Sequence, residues 1–154
     1  MSLSGSPGDL TFWYDSESNS HWNTFKVKVS PDSDPTNYGA YTEVAEYTAT
    51  STIPAMATID MSAYAGLDVY IALQLYDSDT SYYYCYVDDF ALDGWTEGFE
   101  GFGMPPSGWT HEVVSGTDPD NKWLVADNAS YTHPDYDAFS GDYMAWYDCC
   151  MISS

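Results

Sequence analysis

Apolar and polar positions alternate along short runs of this chain, and the period is two. Phe25-Lys26-Val27-Lys28-Val29 is the cleanest case: Phe25, Val27 and Val29 share one side, and both lysines take the other. Successive side chains of a strand point to opposite faces, so this run predicts a half-buried strand. The strongest run is Val69–Tyr76, with Val69, Ile71, Leu73 and Leu75 on one face. Further strands are predicted at Leu10–Tyr14, Tyr41–Tyr47, Thr58–Met61, Tyr82–Leu92, Phe99–Phe102, Trp109–Val114, Trp123–Ala126, Tyr143–Tyr147 and Cys149–Ile152. Residues 1–9 read as a Ser/Gly/Pro linker, and Met104-Pro105-Pro106-Ser107-Gly108 as a rigid turn. Asp93-Gly94 is a hairpin-type signal. No segment repeats at 3.6 residues. Many short strands at regular spacing predict an all-β fold, a jelly-roll-like antiparallel β-sandwich.

Composition sharpens this reading. The 154 residues leave room for one domain with a sizeable core. Fifteen Tyr and six Trp suit pleated, half-buried strands. Acidic residues number 24 against three lysines, Lys26, Lys28 and Lys122, with no arginine. That balance excludes nucleic acid, because phosphates are repelled and no cation cluster releases counterions. It disfavours an anionic membrane surface, and no run approaches the length of a membrane span, so no membrane insertion is expected. The acidity fits binding of a hard cation such as Ca2+, solubility in a salty medium, or simply a solvated acidic surface. Cys85, Cys149 and Cys150 cannot close a disulfide framework; Cys85 pairs with one of the other two, or all three are thiols. The opening residues Met1–Gly8 lack the basic and apolar regions of a signal peptide. The chain is then either cytoplasmic or an excerpt of a longer exported chain.

Three groups of residues are candidates for chemistry. Asp88, Asp89 and Glu100 lie on either side of Asp93-Gly94, so a hairpin brings them together. Carboxylates held close repel one another unless a cation or protons intervene, and Ca2+ accepts such oxygen donors in flexible geometry. An acidic pair exposed at a sheet edge is the plainer alternative. Asp118 and Asp120 form a second, weaker metal candidate, because Lys122 occupies the next alternate position and no EF-hand pattern follows. Trp22, Tyr82, Tyr83, Tyr131, Tyr136 and Tyr147 are candidate sugar-stacking rings, since amphipathic aromatics suit carbohydrate recognition. Trp13, Trp109, Trp123 and Trp146 are assigned to the core. Catalysis has little support: His111-Glu112 lacks the second histidine of a zincin helix, and no Gly-x-Ser-x-Gly is present.

Taken together, the segments resemble the cleaved-adhesin and choice-of-anchor J domains of secreted bacterial proteins, which are similar in fold to MAM domains. Phe99-Glu100-Gly101, Pro105-Pro106-Ser107-Gly108-Trp109, Asp118-Pro119-Asp120-Asn121, Trp123 and Ser140-Gly141-Asp142-Tyr143-Met144-Ala145 match the front of that pattern. Leu10-Thr11-Phe12-Trp13, Phe25–Ser30, Ile59–Gly66 with Val69-Tyr70-Ile71-Ala72, and Val87-Asp88-Asp89-Phe90 match its back. The order is swapped: residues 1–94 supply the back of a domain and 95–154 the front. The chain is thus expected to be either an excerpt cut across two tandem repeats or a circularly permuted single sandwich. The resemblance associates the Phe-Glu and Asp-Asp positions with calcium and favours an excerpt of an exported chain. It implies a non-catalytic, calcium-stabilised adhesion or carbohydrate-binding module of a larger secreted or cell-surface protein, with a glycan or protein partner. A spacer repeat without ligand is the competing class, and a glycan-active enzyme a more distant one.

Overall fold

The computed structural model describes residues 1–16, 24–48, 54–76, 85–101, 103–111, 122–127 and 138–148. These form nine strands: β1 (Leu10–Ser16), β2 (Thr24–Ser30), β3 (Thr42–Thr48), β4 (Ala55–Ile59), β5 (Tyr70–Tyr76), β6 (Cys85–Leu92), β7 (Trp95–Glu97), β8 (Lys122–Asp127) and β9 (Tyr143–Asp148). The larger sheet runs β4-β1-β6-β9-β8, with β7 also paired to β6; the smaller runs β3-β2-β5. Every pairing is antiparallel. The protein is an all-β sandwich. Strands from residues 1–94 and from 95–154 share the larger sheet, where β9 lies against β6.

Alternation sets the two inner faces. Phe25, Val27 and Val29 of β2 are buried, and Ile71, Leu73 and Leu75 of β5 pack beside them. The larger sheet answers with Leu10, Phe12, Ala57, Ile59, Val87, Phe90, Leu92 and Ala145. Aromatic rings join the layers: Phe12 meets Phe25 edge-on at 5.8 Å and Tyr47 at 5.9 Å, and stacks on Phe90 at 4.7 Å. Such ring pairs add to the area they bury, and each is worth about 1 kcal/mol. Lys26, on the outer side of β2, pairs with Glu43 and Glu46 of β3 at 2.7 and 3.1 Å.

Several expectations need correction. Strand β4 begins at Ala55 and ends at Ile59, earlier than the predicted Thr58–Met61. Phe99–Gly101 is not strand, and Phe102, the end of that predicted run, lies outside the described residues. Pairing stops at Glu97, whose carboxylate accepts the Phe99 amide at 2.7 Å, and Phe99 turns at φ 58. That left-handed residue swings the Phe99 ring into the core, against Phe90 and Trp109. Trp109–His111 is likewise not strand, and the rest of that predicted run lies outside the described residues. Of the four core tryptophans only Trp146 is fully buried; Trp13, Trp109 and Trp123 are half-buried. Residues 1–9 do not behave as a linker. Leu3 is buried, the Leu3 amide donates to Leu67 O, and Val69 N donates to Met1 O. Asp93 anchors the same segment by accepting the Ser4 amide and hydroxyl.

Candidate functional site

A register shift makes the site. On a regular strand Asp88 and Asp89 would point to opposite faces. Here β1 and β6 slip between Thr11↔Ala91 and Trp13↔Asp88, so β6 holds one extra residue. Asp89 adopts φ 53, the left-handed conformation that an Asp tolerates better than most residues. The bulge also switches the parity of the strand. Cys85 and Val87 face the core before it, Phe90 and Leu92 after it. Asp88 and Asp89 are thereby spared the inner face.

That outer face is covered. Tyr86, Met144 and Trp146 form a second apolar cluster with Leu124 and Ala138, and Phe139 stacks on Trp13 at 5.5 Å. The loop that does the covering, residues 138–143, is gripped by three carboxylates. Asp88 Oδ2 accepts the Phe139 and Ser140 amides at 3.1 and 3.4 Å, while Oδ1 accepts the Asp89 amide at 2.8 Å. Asp89 Oδ1 accepts the Ser140 hydroxyl at 2.6 Å. Glu100 accepts the Asp142 and Tyr143 amides at 3.1–3.2 Å. A Cβ placed on Gly98 would sit 3.5 Å from Asp89 Oδ1 and 3.9 Å from Glu100 Cγ, so these two side chains flank Gly98. Gly141 turns at φ +65 directly over Glu100, and a Cβ there would land on the carboxylate.

The electrostatics differ across the cluster. Asp88 is fully buried, and burial pushes its carboxyl from 3.8 up to about 6; the Asp89 charge adds to this, and the amide hydrogen bonds oppose it. Nearby on β6, burial pushes the Cys85 thiol up to about 12, with the Asp15 carboxylate adding to it. Among the described residues Cys85 has no disulfide partner, and its burial makes it poorly suited to nucleophilic chemistry. Cys149 and Cys150 lie outside the described residues.

The structure therefore brings Asp88, Asp89 and Glu100 to one loop. Their hard oxygen donors have the chemistry of a Ca2+ site. As they stand, those oxygens accept hydrogen bonds, and among the described residues no group of three or more His, Cys, Asp and Glu is disposed to hold a metal ion. Asp118, Asp120, Trp22, Tyr82, Tyr83, Tyr131 and Tyr136 lie outside the described residues. Tyr147 packs inward against Trp123 at 5.7 Å. Ser140, Gly141, Gly98 and Trp13 were not legible as site residues; the Ser140-Gly141 turn was visible only as a motif. Among the described residues no helix is long and apolar enough to cross a membrane. Comparison with protein-family models, with curated proteins and with solved structures finds no match to the chain.

Proposed function

We propose that this sandwich is a non-catalytic adhesion or carbohydrate-binding module of a larger secreted or cell-surface bacterial protein, strengthened by Ca2+. The reading rests on the convergence of Asp88, Asp89 and Glu100 on the loop 138–143. Two of these positions belong to the Asp-Asp strand and one to the Phe-Glu-Gly segment that resemble cleaved-adhesin and choice-of-anchor J domains. A bound Ca2+ would neutralise their mutual repulsion and fix the loop to the sheet. Asp89 and Glu100 would hold it, and Asp88 would orient the loop amides. The jelly-roll topology, and the permuted or tandem origin of the two segments, belong to the same proposal.

A glycan array probed with the whole chain, in Ca2+ and in chelator, separates a ligand-binding module from a spacer. The proposal expects retention by at least one class of glycan. No retention on any glycan in either condition contradicts the carbohydrate-binding reading and favours the spacer.

A further inference from the structure

The outer face of the smaller sheet carries a second feature, remote from the carboxylates on the larger sheet. Ser30 ends β2 on the solvent side of that strand, yet it is fully buried. Its cross-strand partner in β5 is Tyr70, and Val29 faces Thr42, so Tyr41 stands on Ser30's other side at the next step of the ladder. The two rings are two strands apart, about 10 Å at ordinary strand spacing. Tyr38 joins them through a single 3-10 turn, Tyr38–Ala40, closed by the Tyr41 amide on Tyr38 O at 3.4 Å. Residues three apart lie on one side of such a turn, which brings the Tyr38 and Tyr41 side chains near one another. Burial raises the Tyr41 phenol first, and the Tyr70 and Tyr38 phenols add to it, as neighbours do.

Two of these rings are open to solvent: Tyr38 is 41% and Tyr70 39% exposed. The third is fixed, because the Tyr41 hydroxyl donates to Pro35 O at 3.1 Å. The adjoining loop is held by its own side chains. Asp32 accepts the Asp34 amide and the Asn37 side chain, and Asp34 accepts the Thr36 amide and hydroxyl. The rings are thus presented on a prefixed surface edged by oxygen acceptors, which lowers the ordering cost of binding.

We propose that Tyr38, Tyr41 and Tyr70 form a stacking platform for an uncharged oligosaccharide. Tyrosine rings offer apolar faces to the C–H face of a pyranose, and the Asp34 edge offers acceptors to its hydroxyls. The formal net charge of -21 complements hydroxyl donors and repels an anionic polymer. A peptide strand is the poorer occupant, because the backbone beside Tyr70 already pairs with the N-terminal segment through Val69 and Met1. The inference deepens the binding-module reading and rests on it.

Affinity electrophoresis of the whole chain through neutral β-glucan, xylan and mannan, with polygalacturonate as the anionic control, tests the platform. Retardation by a neutral polymer is expected, weakened about tenfold or more by Tyr70→Ala and by Tyr38→Ala, each at unchanged Tm. Tyr70→Phe should retain most of the binding, because the ring face is kept. Because the carboxylates sit on the other sheet, retardation should be indifferent to chelator. Retardation that survives both alanine variants overturns the platform while leaving a binding module intact. Retardation by polygalacturonate alone, or by no polymer, overturns it as well. If one alanine variant melts lower, the other and Tyr70→Phe still decide.

Discussion

Asp88 is a buried acid with both oxygens committed to backbone amides. Its carboxyl is raised to about 6 from 3.8, so in the metal-free protein the folded state holds a proton that the unfolded chain releases between roughly pH 4 and 6. Stability contributed at this position is therefore present at pH 4 and falls as pH rises to 6, by up to about 3 kcal/mol. Asp88→Asn removes that dependence. It also turns an amino group towards an amide donor in either orientation, because Asp89 N approaches one oxygen and Phe139 N and Ser140 N the other. The substitution should cost about 2 kcal/mol near pH 4, and less towards neutrality, in urea titrations made across that range. A cost independent of pH would contradict the shifted carboxyl.

At the scale of elements, two left-handed glycines make different predictions. Leu92↔Trp95 closes a two-residue turn with Asp93 at φ 51 and Gly94 at φ 81, the geometry that fits the twist of a hairpin. Nothing lies within 4 Å of a Cβ at Gly94, whereas Gly141 faces the Glu100 carboxylate. Gly94→Ala should cost about 1 kcal/mol from backbone strain alone. Gly141→Ala should cost about 2–3 kcal/mol, because it also displaces Glu100 from the loop. Equal losses in denaturant unfolding would mean that the Glu100 contact carries no weight. The hairpin was legible in Asp93-Gly94, and the main strands in their alternation. The sharing of one face by Asp88 and Asp89 was not, although the run carries a trace of the bulge: Val87 and Phe90 stand three apart where the inward positions otherwise alternate, and only the register against β1 shows which residue is the extra one. Glu97 and Phe99 ended the hairpin early through one side-chain hydrogen bond, again a contact that composition does not report. Docking of residues 1–4 was equally hidden, since Ser, Gly and Pro dominate residues 1–9 and Leu3 is the one buried apolar anchor among them.

For the whole molecule, charge is the dominant feature. With 24 acidic residues against three lysines, self-repulsion opposes the compact state. Added NaCl shortens the screening length to about 3 Å at 1 M, so Tm should rise steadily with salt. A flat profile would mean that the acidic groups are too far apart to matter. This general effect must be separated from a specific one at Asp88, Asp89 and Glu100. The most direct measurement is the melting temperature at pH 7 and fixed ionic strength, in millimolar Ca2+ against chelator, for the wild type and for Glu100→Gln. A ligand bound only by the folded state should raise the wild-type Tm by about 5 °C or more, and the variant's by much less. Identical melting of the wild type in Ca2+ and in chelator would contradict a calcium-strengthened module.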